Sequence, residues 1–202
     1  MKHPATQALY GYWDSIRGDR LAPERAEIDP TAIGHLLADT FMLEVDTQGR
    51  HPFRLAGTRV CALFGRELKD ESFAALWLSA DGTEGREGDA LVRTVCDEAQ
   101  GAVAGVLGAS AGEHAIDIEM LLLPLRHGGK THARILGCLS PAVVPTWFGL
   151  QPIDRLVLRS FRVIRGRAPV SSFRDAAAPL PPASVVAQRR GHLRVFDGGR
   201  PA

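Results

Sequence analysis

Polar and apolar positions alternate most regularly between Ile116 and Ser140. In Ile116-Asp117-Ile118-Glu119-Met120 the apolar side chains fall on one face and the two acids on the other, the period-two signature of a strand with one buried face. From Leu121 to Leu125 both faces are apolar, so the acid-bearing face must be covered there as well. Arg126-His127-Gly128-Gly129-Lys130-Thr131 reads as a turn whose glycines supply positive φ at little steric cost. The arm His132–Ser140 returns, and the whole is a β-hairpin.

The same reading extends along the chain. Leu9, Tyr12 or Trp13, and Ile16 form a stripe at helical spacing, which predicts a helix over residues 5–17, with Thr6 as N-cap and Gly18 as stop. Asp29-Pro30 opens a second helix carrying Ile33, Leu36 and Leu37. Thr40–Val45 and His51–Ala56 are strands joined by a turn. A short helix over Val60–Phe64, more helix over Glu67–Leu78, and a longer helix over Thr83–Gln100 follow, and then a small-residue strand, Ala102–Ala109. Two strands, a helical insert and three strands predict an α+β fold: a five-stranded antiparallel sheet with helices on one face, preceded by an N-terminal helix. Thr40–Val45 is expected inside that sheet, beside Ala133–Leu139. Ile153–Ile164 reads as either strand or helix. The expected organisation is an N-terminal helix and linker (1–28), a domain (29–165) and a flexible Pro/Ala/Arg-rich tail (166–202).

Composition changes little. A net charge of +1 gives no field for nucleic acid, so none is expected as partner, although arginines gather at Arg155, Arg159, Arg162 and Arg165. Cys61, Cys96 and Cys138 are odd in number and far apart, which speaks against a disulfide scaffold or a zinc site. No apolar run approaches the roughly 18 residues of a membrane helix. A cytoplasmic protein with no membrane contact is expected.

Several stretches together carry a family resemblance. Tyr12-Trp13, Arg17-Gly18-Asp19-Arg20 and Ile28-Asp29-Pro30 open the chain; Phe53-Arg54-Leu55-Ala56-Gly57-Thr58 and Phe64-Gly65-Arg66-Glu67-Leu68 follow; Glu119–Leu125 and Leu136-Gly137 close the sheet. The chain resembles a family of bacterial stand-alone PAS-domain proteins, mostly of unassigned function, over about residues 8–165. The resemblance implies a sensor or protein-interaction module, often dimeric through its N-terminal helix, with no catalytic residue and no fixed cofactor.

A ligand pocket between sheet and helices would draw on Leu43, Leu55, Phe64, Trp77, Val95, Met120 and Ile135. The stripe Leu9, Tyr12, Trp13 and Ile16 is expected at a homodimer interface, the alternative being that the helix folds back over its own sheet. His35 and His114 are the histidines to test as haem ligands. The Asn-Cys-Arg context of a light-sensing flavin domain is absent, and Gly129-Lys130-Thr131 lacks the rest of a phosphate loop. Arg54 and Glu119 are charges on otherwise apolar strands: a buried pair if both are internal, outer-face residues otherwise. The leading expectation is a non-catalytic regulatory module that binds a small ligand or a signalling protein. The alternatives are a hot-dog or cone-shaped enzyme using Asp89 or Glu98 from the long helix, and a purely structural dimerisation adaptor.

Overall fold

The computed structural model describes residues 1–77, 85–110 and 114–165, with two short strands further on. Six strands form one antiparallel sheet: β1 (Thr40–Glu44), β2 (Phe53–Ala56), β3 (Gly101–Ala109), β4 (Ala115–His127), β5 (Lys130–Pro141) and β6 (Arg155–Ile164), in the order β2-β1-β5-β4-β3-β6. The interior place of β1 is as expected, with Phe41 opposite Gly137 and Leu43 opposite Ile135 on β5. Gly137 is required there, because a Cβ would lie 2.1 Å from the Phe41 ring. The long hairpin closes with His127 opposite Lys130, and Gly128 and Gly129 both take positive φ between them.

The sixth strand extends the predicted five. Leu156, Leu158, Phe161 and Val163 alternate correctly for a strand except for one slip in phase. The register shift between Gly105 and Val106 absorbs that slip: Ser160 faces Gly105 and Leu158 faces Val106, so Arg159 is the extra residue of a bulge. A single interrupted period is why the sequence read equally as helix or strand.

Helices cover both faces. On the inner face lie α2 (Thr58–Phe64), α3 (Arg86–Glu98) and a single 3-10 turn, Ala74–Leu76. The helix expected over Glu67–Leu78 is mostly absent from its described part. Asp70 adopts φ 65°, and the chain spends its backbone groups on β2 instead: Asp70 N–H donates to Phe53 O at 2.8 Å, and Phe53 N–H to Glu71 O at 3.0 Å. The helix expected after Pro30 is a turn followed by the 3-10 segment Gly34–Asp39.

The outer face is covered by α1 (Pro4–Arg17) and that 3-10 segment. The cap of α1 is His3, whose Nδ1 accepts the Ala5 N–H at 3.2 Å, rather than Thr6. Leu9 (0% exposed) and Trp13 (2%) pack on Met42, Leu121, Leu123, Leu125, Leu136 and Cys138. Trp13 Nε1–H donates to Pro124 O at 2.9 Å, and the Arg17 guanidinium lies 5.2 Å from the Trp13 ring. Of the stripe expected at a dimer interface, Leu9 and Trp13 are therefore buried within one chain. Burial against Leu121–Leu125 supplies the cover that this doubly apolar stretch of β4 demanded. Tyr12 and Ile16 remain partly exposed, and the Tyr12 hydroxyl accepts the Asp29 N–H at 2.7 Å.

Contacts divide the chain into Met1–Pro169 and Val170–Ala202. In the second unit Arg189–Arg190 pairs antiparallel with Leu193–Arg194. The rest of the tail predicted to be flexible lies outside the described residues.

Candidate functional site

The space between sheet and inner helices holds one buried apolar layer. Phe41, Phe53 and Phe73 stand 5.6–5.9 Å apart by ring centroids, and Trp77 continues the cluster 5.7 Å from Phe73. Of the residues expected to line a pocket, Leu43, Phe64, Trp77, Val95, Met120 and Ile135 do come together, each buried in this one apolar layer. Leu55 does not: it is 56% exposed. It pairs with Met42 of the outer face, and the register shift between Met42 and Leu43 leaves Phe53, not Leu55, to face inward opposite Leu43. The Trp77 indole Nε1 is buried with no hydrogen-bond partner among the described residues, and its ring leaves room only for glycine at position 88, where a Cβ would lie 2.5 Å from Cδ1.

Of the carboxylates proposed for catalysis, Asp89 is otherwise engaged. Asp89, in the first turn of α3, accepts from Arg93 Nε at 2.6 Å and lies 3.0 Å from His51 Nε2. The Asp46 N–H points at His51 Nδ1 at 3.3 Å, which assigns the acceptor role to Nδ1 and the proton to Nε2. Burial works to raise the Asp89 carboxyl, but the bonds from Arg93 and His51 outweigh it and hold the group below its ordinary value. The fully buried His51 thus ties the β1–β2 turn to α3. Glu98 is exposed at the far end of α3. His35 is exposed, and His114 stacks on Trp147 at 5.1 Å. Among the described residues no three His, Cys, Asp or Glu side chains are grouped to hold a metal. Burial pushes the Cys96 and Cys138 thiols up to about 12, and raises Cys61, so none is poised as a thiolate.

Arg54 and Glu119 lie apart. Arg54 is exposed on β2 and pairs with Glu44, which also holds Arg134 at 3.0 Å, and with Asp70 at 3.1 Å. Glu119 faces outward on β4 and receives the start of α1: Lys2 N–H at 2.7 Å, His3 N–H at 2.9 Å and the Thr6 hydroxyl. Burial works to raise this carboxyl, and those hydrogen bonds outweigh it, so it sits below its ordinary value.

Beyond the start of α1 the outer face opens into a trough of about 690 Å³. Residues 1–4 form one wall, Val103, Gly105 and Glu119 the floor, and Arg159, Ser160 and Arg162 of β6 the other wall. Gly105 keeps the floor low: a Cβ would meet Ser160 Oγ at 2.7 Å, and its N–H donates to that hydroxyl at 3.2 Å. Sequence reasoning missed this trough. The signal available was the outward-facing pair Asp117 and Glu119 beside small residues of β3, but the position of β6 was needed to close it.

A family model described as "PAS domain" matches residues 1–140. The chain belongs to the PAS-domain family. Two solved structures are similar in fold. One is a light-oxygen-voltage (LOV) protein of Rhodobacter sphaeroides, 13% identical, with TM-score 0.41, covering 57% of this chain and 69% of that one. The other is an RNA-binding light-oxygen-voltage receptor, 17% identical, with TM-score 0.41, covering 59% of this chain and 35% of that one. At these scores neither neighbour informs function. No curated protein matches the chain. A PAS domain places the chain among sensory or regulatory modules, and no helix among its described residues is long and apolar enough to cross a membrane.

Proposed function

We propose that this PAS domain is a non-catalytic regulatory module that acts by engaging a partner protein through its surface, not by enclosing a small molecule. The filled inner layer carries the reading. Ligand sites of a few hundred Å³ are open cavities lined by apolar groups. Here Phe41, Phe53, Phe73 and Trp77 occupy the corresponding space themselves, in mutual ring contact. The reading is tested by native mass spectrometry and an absorption spectrum of the purified protein. The expected result is the mass of the chain, or of a whole number of chains, with no chromophore band and no adduct. A small molecule retained in stoichiometric amount would overturn it.

A second reading rests on Trp77 Nε1. A buried N–H donor with no acceptor is costly, and a ligand bringing a carbonyl or carboxylate oxygen to it would recover that cost. A retained adduct that disappears in Trp77→Phe, with the domain still folded, would favour this reading over the first.

A further inference from the structure

Arginines elsewhere in the domain mostly sit on carboxylates, as Arg54 does on Glu44 and Arg59 on Asp39. Those of β6 do not. Arg155, Arg159, Arg162 and Arg165 are all exposed, and none has a carboxylate partner among the described residues. Arg159 and Arg162 also line the trough. β6 is the terminal strand of the sheet. Its first half is engaged by Trp77, bridged in parallel to Leu156, and by Glu87, which accepts the Leu158 N–H at 3.4 Å. No comparable contact falls on Ser160–Ile164 among the described residues.

Resting on the partner-binding reading above, we propose that the second half of β6 and the adjoining trough dock an extended acidic segment of a partner protein. The segment adds a strand to β6: its carboxylates pair with Arg159 and Arg162 on the outer face, and its alternate apolar side chains fall on the inner face beside Phe161 and Val163. An unpaired strand edge offers a ladder of backbone groups to another strand. Unpaired arginines along that edge repel a second copy of β6, because like charges oppose pairing. The same charges select an acidic strand. A nucleic acid brings no strand to pair with the open edge, and a net charge of only +1 gives it no general field. Glu119 does not compete for the arginines, because its oxygens are already taken by the start of α1.

Fluorescence anisotropy with the full chain and a labelled ten-residue peptide of alternating Glu and Val tests the proposal. Saturable binding that weakens with added salt is expected, and Arg159→Glu with Arg162→Glu should weaken it by about tenfold or more. Arg66→Glu, placed after α2, should leave it unchanged. A Lys-Val peptide should not bind, and proline at alternate Val positions, which removes N–H donors from the added strand, should weaken binding by about tenfold. Circular dichroism and melting should show both Glu variants folded. If they are not, Arg159→Gln with Arg162→Gln carries the test and should still weaken binding several-fold. No binding by the Glu-Val peptide, or binding that survives these substitutions, would overturn the assignment. So would a single-stranded RNA dodecamer that binds more tightly than the peptide and is lost in the same variants. A failed peptide with no retained small molecule overturns this surface alone, whereas a retained small molecule overturns the reading beneath it.

Discussion

The two faces of the sheet are built to different ends from the same strands. On the inner face, α2, α3 and four aromatic rings form one buried apolar layer, in which the Trp77 N–H is buried without a partner among the described residues. On the outer face, α1 covers β4 and β5 with Leu9 and Trp13, and leaves the trough over the middle of β3 and β6 open. There the floor is low, the wall is charged, and the edge is open. β4 serves both sides: Met120 and Leu122 face in, Leu121 and Leu123 face out, and Glu119 marks where the outer cover begins. The difference teaches that apolar completeness fixes the frame, and that what the frame leaves uncovered is where recognition can be placed.

The comparison is broken most severely by charging the cover. Leu9→Glu with Trp13→Glu would bury two carboxylates against Leu121 and Leu123, and should destabilise the domain by more than about 4 kcal/mol, leaving it unfolded by circular dichroism. A folded monomer with unchanged melting would return the stripe to a dimer interface.

Trp77→Ala should cost about 3–5 kcal/mol in denaturant unfolding, because neighbours as large as Phe73 cannot collapse into the space left. A cost under about 1 kcal/mol would mean that the inner layer is loosely filled, and would revive the enclosed ligand.

How much of this was legible in the sequence follows from the same contrast. Strict alternation announced β4, and the doubly apolar Leu121–Leu125 announced a second layer, but pattern does not say whose helix supplies it. Leu9 and Trp13 look the same whether they face a neighbour or their own sheet. The β1 interior position and the inner residues from Leu43 to Ile135 were readable because they belong to regular strands and helices. Leu55 and β6 were misjudged or left open because one-residue register shifts invert which side chains face inward, and nothing local marks such a shift. The segment before Trp77 misled for a related reason: its apolar spacing suits a helix, while its backbone bonds go to β2. The PAS family was recognisable from motifs spread along the chain, and the family model covering residues 1–140 places the chain in it.

The smallest effect is expected at the boundary between covered and open outer face. Glu119→Gln removes the charge that receives the start of α1, and should cost about 1 kcal/mol at neutral pH. The folded carboxyl sits below its ordinary value, so its contribution is complete above the unfolded pKa of about 4.3 and is lost as pH falls through the folded one. Wild type and variant should therefore differ at pH 7 and converge in acid. A difference that persists at pH 2 would show that the hydrogen-bond geometry, and not the charge, anchors the helix.

The bond from Trp13 to Pro124 joins residues 111 positions apart. During synthesis the helix leaves the ribosome long before the strand it covers. At about 5–20 residues per second, Leu9 and Trp13 wait on the order of 5–20 s for β4. Throughout that interval the nascent chain shows an amphipathic helix whose greasy stripe has no home. The outer cover, which makes the finished domain self-sufficient, makes the unfinished chain a client for chaperones that shield exposed apolar segments.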